Sequence, residues 1–180
     1  GGPRPSVMAG HSLGEFSALV CAGSLAFADG VELVRQRGAF MQTAVPVGQG
    51  AMAAIIGLDD EVINRICEQT SADSGQVVAA VNFNSPGQVV IAGHSAAVEA
   101  AIVALKAAGA KRAMPLPVSA PFHTELMKPA GERLAQAMAD ITFETPQIPV
   151  VHNVNAATES DPDSIRALLV EQIYSPVQWT

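Results

Sequence analysis

Gly10-His11-Ser12-Leu13-Gly14 fits the pattern G-x-S-x-G, in which a serine stands on a strained turn between a strand and a helix. The glycines are expected because such a turn leaves no room for a Cβ beside the serine. The flanks agree with that reading. Before the pentapeptide runs Ser6-Val7-Met8-Ala9, a short apolar segment able to end a buried strand. After it runs Glu15-Phe16-Ser17-Ala18-Leu19-Val20-Cys21-Ala22, with Gly23 placed as a C-terminal helix glycine. A serine on such an elbow lies over the positive end of a helix dipole, where a developing oxyanion is stabilised.

Working outward, residues 27–45 carry a helical pattern, with Asp29 available as N-cap and Pro46 closing it. A unit of different character follows. Residues 50–57 read as a strand, and 59–72 as an amphipathic helix opened by Asp59-Asp60-Glu61. Residues 76–83 and 88–93 read as strands joined through the turn signal Asn84-Ser85-Pro86-Gly87. Residues 95–108 read as a helix capped by Ser95 and closed by Gly109, and 111–118 as a last strand. The order β-α-β-β-α-β predicts a ferredoxin-like subdomain over 48–118. It is inserted between 1–47 and 119–180, which together read as the catalytic subdomain. There the pattern predicts a helix over about 125–139, a buried strand over 149–154 and a helix over 162–173. Strand–helix alternation around the insert predicts an α/β layer with a mostly parallel sheet.

Composition narrows the function classes. Of the 180 residues 49% are apolar and 15% charged, a globular balance with enough chain for one substantial core. A net charge of −7 argues against nucleic acid or an anionic membrane as the main partner. No apolar run reaches the ~18 residues needed to span a bilayer, no signal peptide is expected, and the protein is expected to be cytoplasmic. Cys21 and Cys67 lie in separate helix patterns, make no metal-ligand spacing, and read as reduced, buried thiols. No metal site is expected.

A serine needs a base to take its proton. Four histidines are available. His11 precedes Ser12 on the elbow, so its side chain is expected to point away and support the loop. His94 sits beside Ser95 at a helix start, and His152 inside an apolar strand reads as a satisfied core histidine. His123 follows Pro121-Phe122 in a rigid loop where the insert returns to the main layer, and it suits a base best. No acid completes a triad. Asp59, Asp60, Glu61 and Asp73 read as caps or surface, and Glu125 is too near His123 in sequence. A neutral acceptor such as a backbone carbonyl fits better. Arg37 shares an apolar stripe with Leu33, Val34, Phe40 and Met41, whereas Arg35 lies near Glu32 and Gln42 on a polar face. A core-facing arginine needs an anion, either a structural carboxylate or a substrate carboxylate, and the pattern alone leaves both open.

Gly10-His11-Ser12-Leu13-Gly14-Glu15, Gln36-Arg37-Gly38, Asn82-Phe83-Asn84-Ser85-Pro86-Gly87-Gln88, Pro121-Phe122-His123 and Pro176-Val177-Gln178-Trp179 together resemble the malonyl-CoA:acyl carrier protein transacylases of fatty-acid and polyketide synthases. The resemblance runs along essentially the whole chain. It implies an α/β-hydrolase-like core with a ferredoxin-like insert, in agreement with the layout above. It implies that Ser12 attacks the malonyl thioester of coenzyme A with His123 as base, and that a malonyl-serine ester passes to the phosphopantetheine thiol of acyl carrier protein. No cofactor is needed. Arg37 would pair with the malonyl carboxylate, Leu13 would give one oxyanion N–H, and Gln172 would orient His123 through its backbone carbonyl. Met41 and Phe122 would line the acyl site, Phe122 setting bulk against an α-methyl group. A wall of this kind rejects one methyl by only ~1–3 kcal/mol.

The resemblance further implies an N-terminal strand and Gly-Gln-Gly-rich loop that complete the oxyanion hole, and a C-terminal part after Trp179. The chain reads as a fragment without them, expected to be inactive and poorly stable alone. Lys106, Lys111, Arg112 and Lys128 could contribute a basic patch for an acidic carrier, although scattered lysines are ordinarily solvated. Competing readings are an acyltransferase domain of a polyketide synthase, a serine thioesterase or esterase on the same elbow, and a docking domain without chemistry.

Overall fold

A computed structural model describes residues 2–180. Strand β1 (Met8–Ala9) pairs in parallel with β6 (Val150–Val151), Met8 opposite Val150 and Ala9 opposite Val151. From β1 the chain turns through the elbow into α1 (Leu13–Cys21), and then into α2 (Phe27–Thr43). Helices α5 (Lys128–Ala137) and α6 (Pro162–Gln172) complete this part. Their apolar stripes meet in one core that includes Phe16, Leu19, Leu33, Leu134, Ile165 and Leu169. The parallel sheet of the layer is thus two strands wide among the described residues.

Between α2 and α5 lie β2 (Gly50–Ile56), α3 (Asp60–Ser74), β3 (Val78–Ser85), β4 (Gln88–His94), α4 (Ser95–Ala107) and β5 (Arg112–Pro115). The strands stand in the order β5-β2-β4-β3, antiparallel throughout. Period-2 alternation divides their side chains between two faces. Ala53, Ile55, Val89 and Ile91 pack with Ile63 and Cys67 of α3 and Val98, Ala101 and Leu105 of α4. Met52, Val90 and Ala92 line the other face with Phe122 against them, so the sheet's second side meets the loop before His123. Strand β7 (Val177–Gln178) adds to this same sheet, parallel to β3. The end of the chain therefore crosses from the helical layer to the five-stranded sheet, a pairing the sequence reading did not foresee.

Several element ends move for identifiable reasons. Helix α2 begins at Phe27 with Ala26 at its N-cap position, so Asp29 is not a cap but an acid in the first turn, favoured by the helix dipole. His94 holds the N-cap position of α4 in place of Ser95; the Ser95 hydroxyl donates to the Gly48 carbonyl at 2.9 Å. Strand β3 runs on to Ser85, which shrinks the hairpin turn to Pro86-Gly87 with Gly87 at φ 74. Strand β5 stops at Pro115 because prolines at 115 and 117 cannot donate to a ladder. The helix expected from 125 opens as a 3-10 turn (Glu125–Met127) before α5. Cys67 is buried, and burial pushes its thiol up to about 12, but Cys21 is exposed, contrary to expectation.

Candidate active site

The elbow is built by steric necessity at one glycine. A Cβ on Gly10 would stand 2.0 Å from the Gly14 carbonyl oxygen, whereas a Cβ on Gly14 would meet nothing within 4 Å. The expectation that both glycines are needed for space therefore holds for Gly10 alone. Between them Ser12 takes φ 53 and ψ −109, a region that L-residues rarely occupy. The turn is closed by N–H groups of Gly14 and Glu15, which donate to the carbonyls of His11 and Ser12. The Leu13 N–H, first in α1, has no intrahelical acceptor by helix geometry and adjoins the serine.

Asn153 holds this strained peptide in place. Its Oδ1 accepts from the Ser12 N–H at 2.6 Å, and its Nδ2 donates to the Gly10 carbonyl at 2.8 Å. The residue is available because β6 ends at Val151 and the chain then turns, the Asn153 N–H donating to Glu15 Oε2 at 3.0 Å.

Ser12 Oγ lies 3.0 Å from His123 Nε2, and His123 Nδ1 lies 2.7 Å from the Gln172 carbonyl oxygen. A carbonyl only accepts, so Nδ1 carries the proton and Nε2 presents a lone pair to the serine hydroxyl. His123 is buried, with φ 63. Burial, with the Arg37 cation nearby as a smaller cause, depresses its pKa to about 4, so the ring is neutral near pH 7. This is a serine–histidine pair whose histidine is held by a neutral carbonyl.

Arg37 is 5% exposed on the inner face of α2. Its Nη2 donates to Ser12 Oγ at 2.7 Å and to Gln172 Oε1 at 2.9 Å. Its Nε is buried without a partner, and its guanidinium lies 5.7 Å from the centre of the Phe16 ring. Burial lowers its pKa to about 10 against the opposing effect of Glu15, so it stays cationic at neutral pH. Among the described residues Arg37 makes no ion pair. A buried guanidinium with an unpaired donor beside a serine–histidine pair is suited to an anionic group on a bound ligand.

The remaining expected residues fall in different places. Phe122 packs between the helical core and the second face of the five-stranded sheet. Met41 is 3% exposed within the helical core and presents almost no surface to a ligand. Leu13 is half exposed beside Ser12. His11 Nε2 lies 2.9 Å from Asn84 Oδ1, so its side chain joins the elbow to strand β3, and its ring stands edge-on to Trp179 at 5.4 Å. The His94 Nδ1 accepts from the Val77 N–H at 3.0 Å. His152 is a core residue bonded to Glu15 Oε1 at 2.6 Å, but its Nε2 has no partner. Glu125 faces Lys128 at 4.0 Å on the surface. Sequence reasoning missed Glu15, Asn153 and the side chain of Gln172. The available signal was Glu15 itself, a carboxylate in register with Leu19 on the buried stripe of α1.

All 180 residues match the acyl transferase domain family. The chain belongs to that family. This acyl transferase domain is 64% identical over 180 residues to the malonyl CoA-acyl carrier protein transacylase of Escherichia coli K12, covering all of this chain and 58% of the relative. The solved malonyl CoA-acyl carrier protein transacylase of Coxiella burnetii superposes with a TM-score of 0.97 at 52% identity, over 99% of this chain and 56% of the other. A structure of a type II PKS acyl-carrier protein in complex with its malonyl-transacylase matches at TM-score 0.96 and 57% identity, over 99% of this acyl transferase domain and 57% of that chain. The domain thus spans a little over half the length of the relatives it matches. No helix of its described residues is long and apolar enough to cross a membrane.

Proposed function

We propose that the protein transfers a malonyl group from coenzyme A to the phosphopantetheine thiol of acyl carrier protein through an ester on Ser12. The observation that carries this reading is Arg37, a buried cation that makes no direct ion pair among the described residues, bonded to the hydroxyl that His123 would deprotonate. Malonyl-CoA has both groups such a pair requires, a reactive thioester and a free carboxylate. The names of the relatives support the same substrate and partner.

Ser12 Oγ attacks the thioester carbonyl while its proton passes to His123 Nε2, and the tetrahedral oxyanion forms near the Leu13 N–H. The C–S bond breaks, the coenzyme A thiolate takes the proton from His123, and malonyl-Ser12 remains. The carrier thiol then gives its proton to His123, attacks the ester and restores Ser12. The Gln172 carbonyl holds the ring without a second carboxylate, which suffices for a thioester more reactive than an amide. Phe122 narrows the acyl site, whereas Met41 lies in the helical core.

We read the helical layer as an α/β-hydrolase-like core of residues 1–47 and 119–180, and residues 48–118 as a ferredoxin-like insert. The strand order β5-β2-β4-β3 with both helices on one face supports the second assignment. The test is brief incubation of the full-length protein with malonyl-CoA and acetyl-CoA in separate reactions, followed by peptide mass spectrometry. A malonyl adduct on Ser12, absent from Ser12→Ala and discharged by acyl carrier protein, is the expected result. Hydrolysis without transfer to the carrier would replace the transferase reading with a thioesterase.

A further inference from the structure

Glu15 is fully buried, and its two oxygens face only donors: His152 Nδ1 at 2.6 Å, the Asn153 N–H at 3.0 Å and Gln172 Nε2 at 2.8 Å. The Gln172 amide is equally buried and has a definite direction. Its Nε2 also donates to the Ser12 carbonyl at 3.0 Å, and its Oε1 accepts from Arg37 Nη2 at 2.9 Å. Rotating that amide by half a turn would set its oxygen against two acceptors, Glu15 and the Ser12 carbonyl, and its NH2 against the guanidinium. Buried mismatches of this kind leave each group unsatisfied. One residue, Gln172, thereby holds His123 with its backbone and Arg37 with its side chain, and Glu15 decides which way the side chain faces.

We infer that Glu15 is a positioning residue for acyl selection: through the Gln172 amide it holds the Arg37 guanidinium against Ser12 in the orientation that receives a carboxylated acyl group. This rests on the malonyl reading above. Glu15 makes no hydrogen bond to the serine hydroxyl, and it acts on Ser12 through two relays, Asn153 to the peptide N–H and Gln172 with Arg37 to the hydroxyl. The missing third member of a triad is replaced by an acid that organises the nucleophile side of the pair.

The test compares malonyl and acetyl loading of Ser12 in the full-length wild type, Gln172→Met, Glu15→Met and Glu15→Gln. Acetyl carries no carboxylate, so it reports general integrity of the serine–histidine pair. Gln172→Met keeps the backbone carbonyl that holds His123 and cuts the relay. It is expected to lower malonyl loading relative to acetyl by about ten-fold or more, as is Glu15→Met. Glu15→Gln is expected to keep the malonyl preference, because its oxygen can serve Asn153 and Gln172 while its NH2 faces His152 in the alternate ring tautomer. Equal loss of both substrates, no change in their ratio, or failure of both methionine variants to fold would overturn the inference and leave Glu15 a structural residue. A wild type that loads no malonyl would instead refute the transferase reading itself.

Discussion

At His123 the local chemistry sets a pH dependence that differs from that of an ordinary histidine. Its pKa falls from 6.5 to about 4, chiefly through burial. The ring is therefore neutral well below pH 6.5, and under the proposed function the acidic limb of kcat/KM for malonyl-CoA is expected nearer pH 4 than pH 6.5. Stability carries the same sign. The unfolded chain binds this proton below about pH 6.5 and the folded chain does not, so stability is full above that pH and declines as pH falls towards 4. The loss from this one group amounts to about 3 kcal/mol at the acid end. Denaturant titrations of wild type and His123→Gln across that window measure it as the part of the decline the variant lacks. Arg37→Ala tests the neighbouring charge: malonyl loading is expected to fall about ten- to a hundred-fold relative to acetyl loading, the range for a lost charged hydrogen bond.

The elbow and α1 form the element on which the site depends, and their two glycines give a paired prediction. Gly10→Ala drives a Cβ into the Gly14 carbonyl at 2.0 Å, so the turn must open and Ser12 must leave its place. Loss of the Ser12 adduct, with a fall in Tm, is expected. Gly14→Ala adds a methyl to open space inside a helix and is expected to stabilise by about 0.5–1 kcal/mol while keeping the adduct. Equal damage from both would refute the steric account of the elbow. Helix α6 offers a second check, since Asp161 accepts from the Ser164 N–H at 2.8 Å as its N-cap. Asp161→Ala is expected to lower the midpoint of urea denaturation without altering acyl selection.

Over the whole molecule, the site is assembled from distant pieces that share one core. Ser12 comes from the start of α1, Arg37 from α2, His123 from the loop after β5, and Gln172 from the end of α6. Leu169 is fully buried one turn before Gln172. Leu169→Ala is expected to destabilise by about 2–5 kcal/mol and to weaken malonyl loading with it, because α6 carries the acceptor for His123. The two parts of the chain are also tied together by the His11–Asn84 hydrogen bond and by the pairing of β7 with β3. These ties place the five-stranded sheet beside the elbow, with Phe122 packed against both cores.

Local periodicity and turn chemistry made much of this legible. The strand–elbow–helix unit, the βαββαβ order, the junction position of His123 and the core-facing stripe of Arg37 all follow from spacing between near neighbours in sequence, where steric and hydrogen-bonding rules act over a few residues. Element ends were less legible, as at Asp29 and Ser95, because capping depends on where the preceding loop is held. The pairing of β7 with β3 joins residues nearly a hundred positions apart and has no local signature. The surroundings of Glu15 were likewise hidden: its partners are Asn153, His152 and Gln172, each more than 130 residues away. Whether Arg37 has an anion of its own was also beyond the sequence, since burial and pairing of a charge are settled by what folds around it. The sequence determined which residues could act as nucleophile, base and cation. Only tertiary packing decided which groups hold them, because those hydrogen bonds join segments whose proximity exists only once the core has closed.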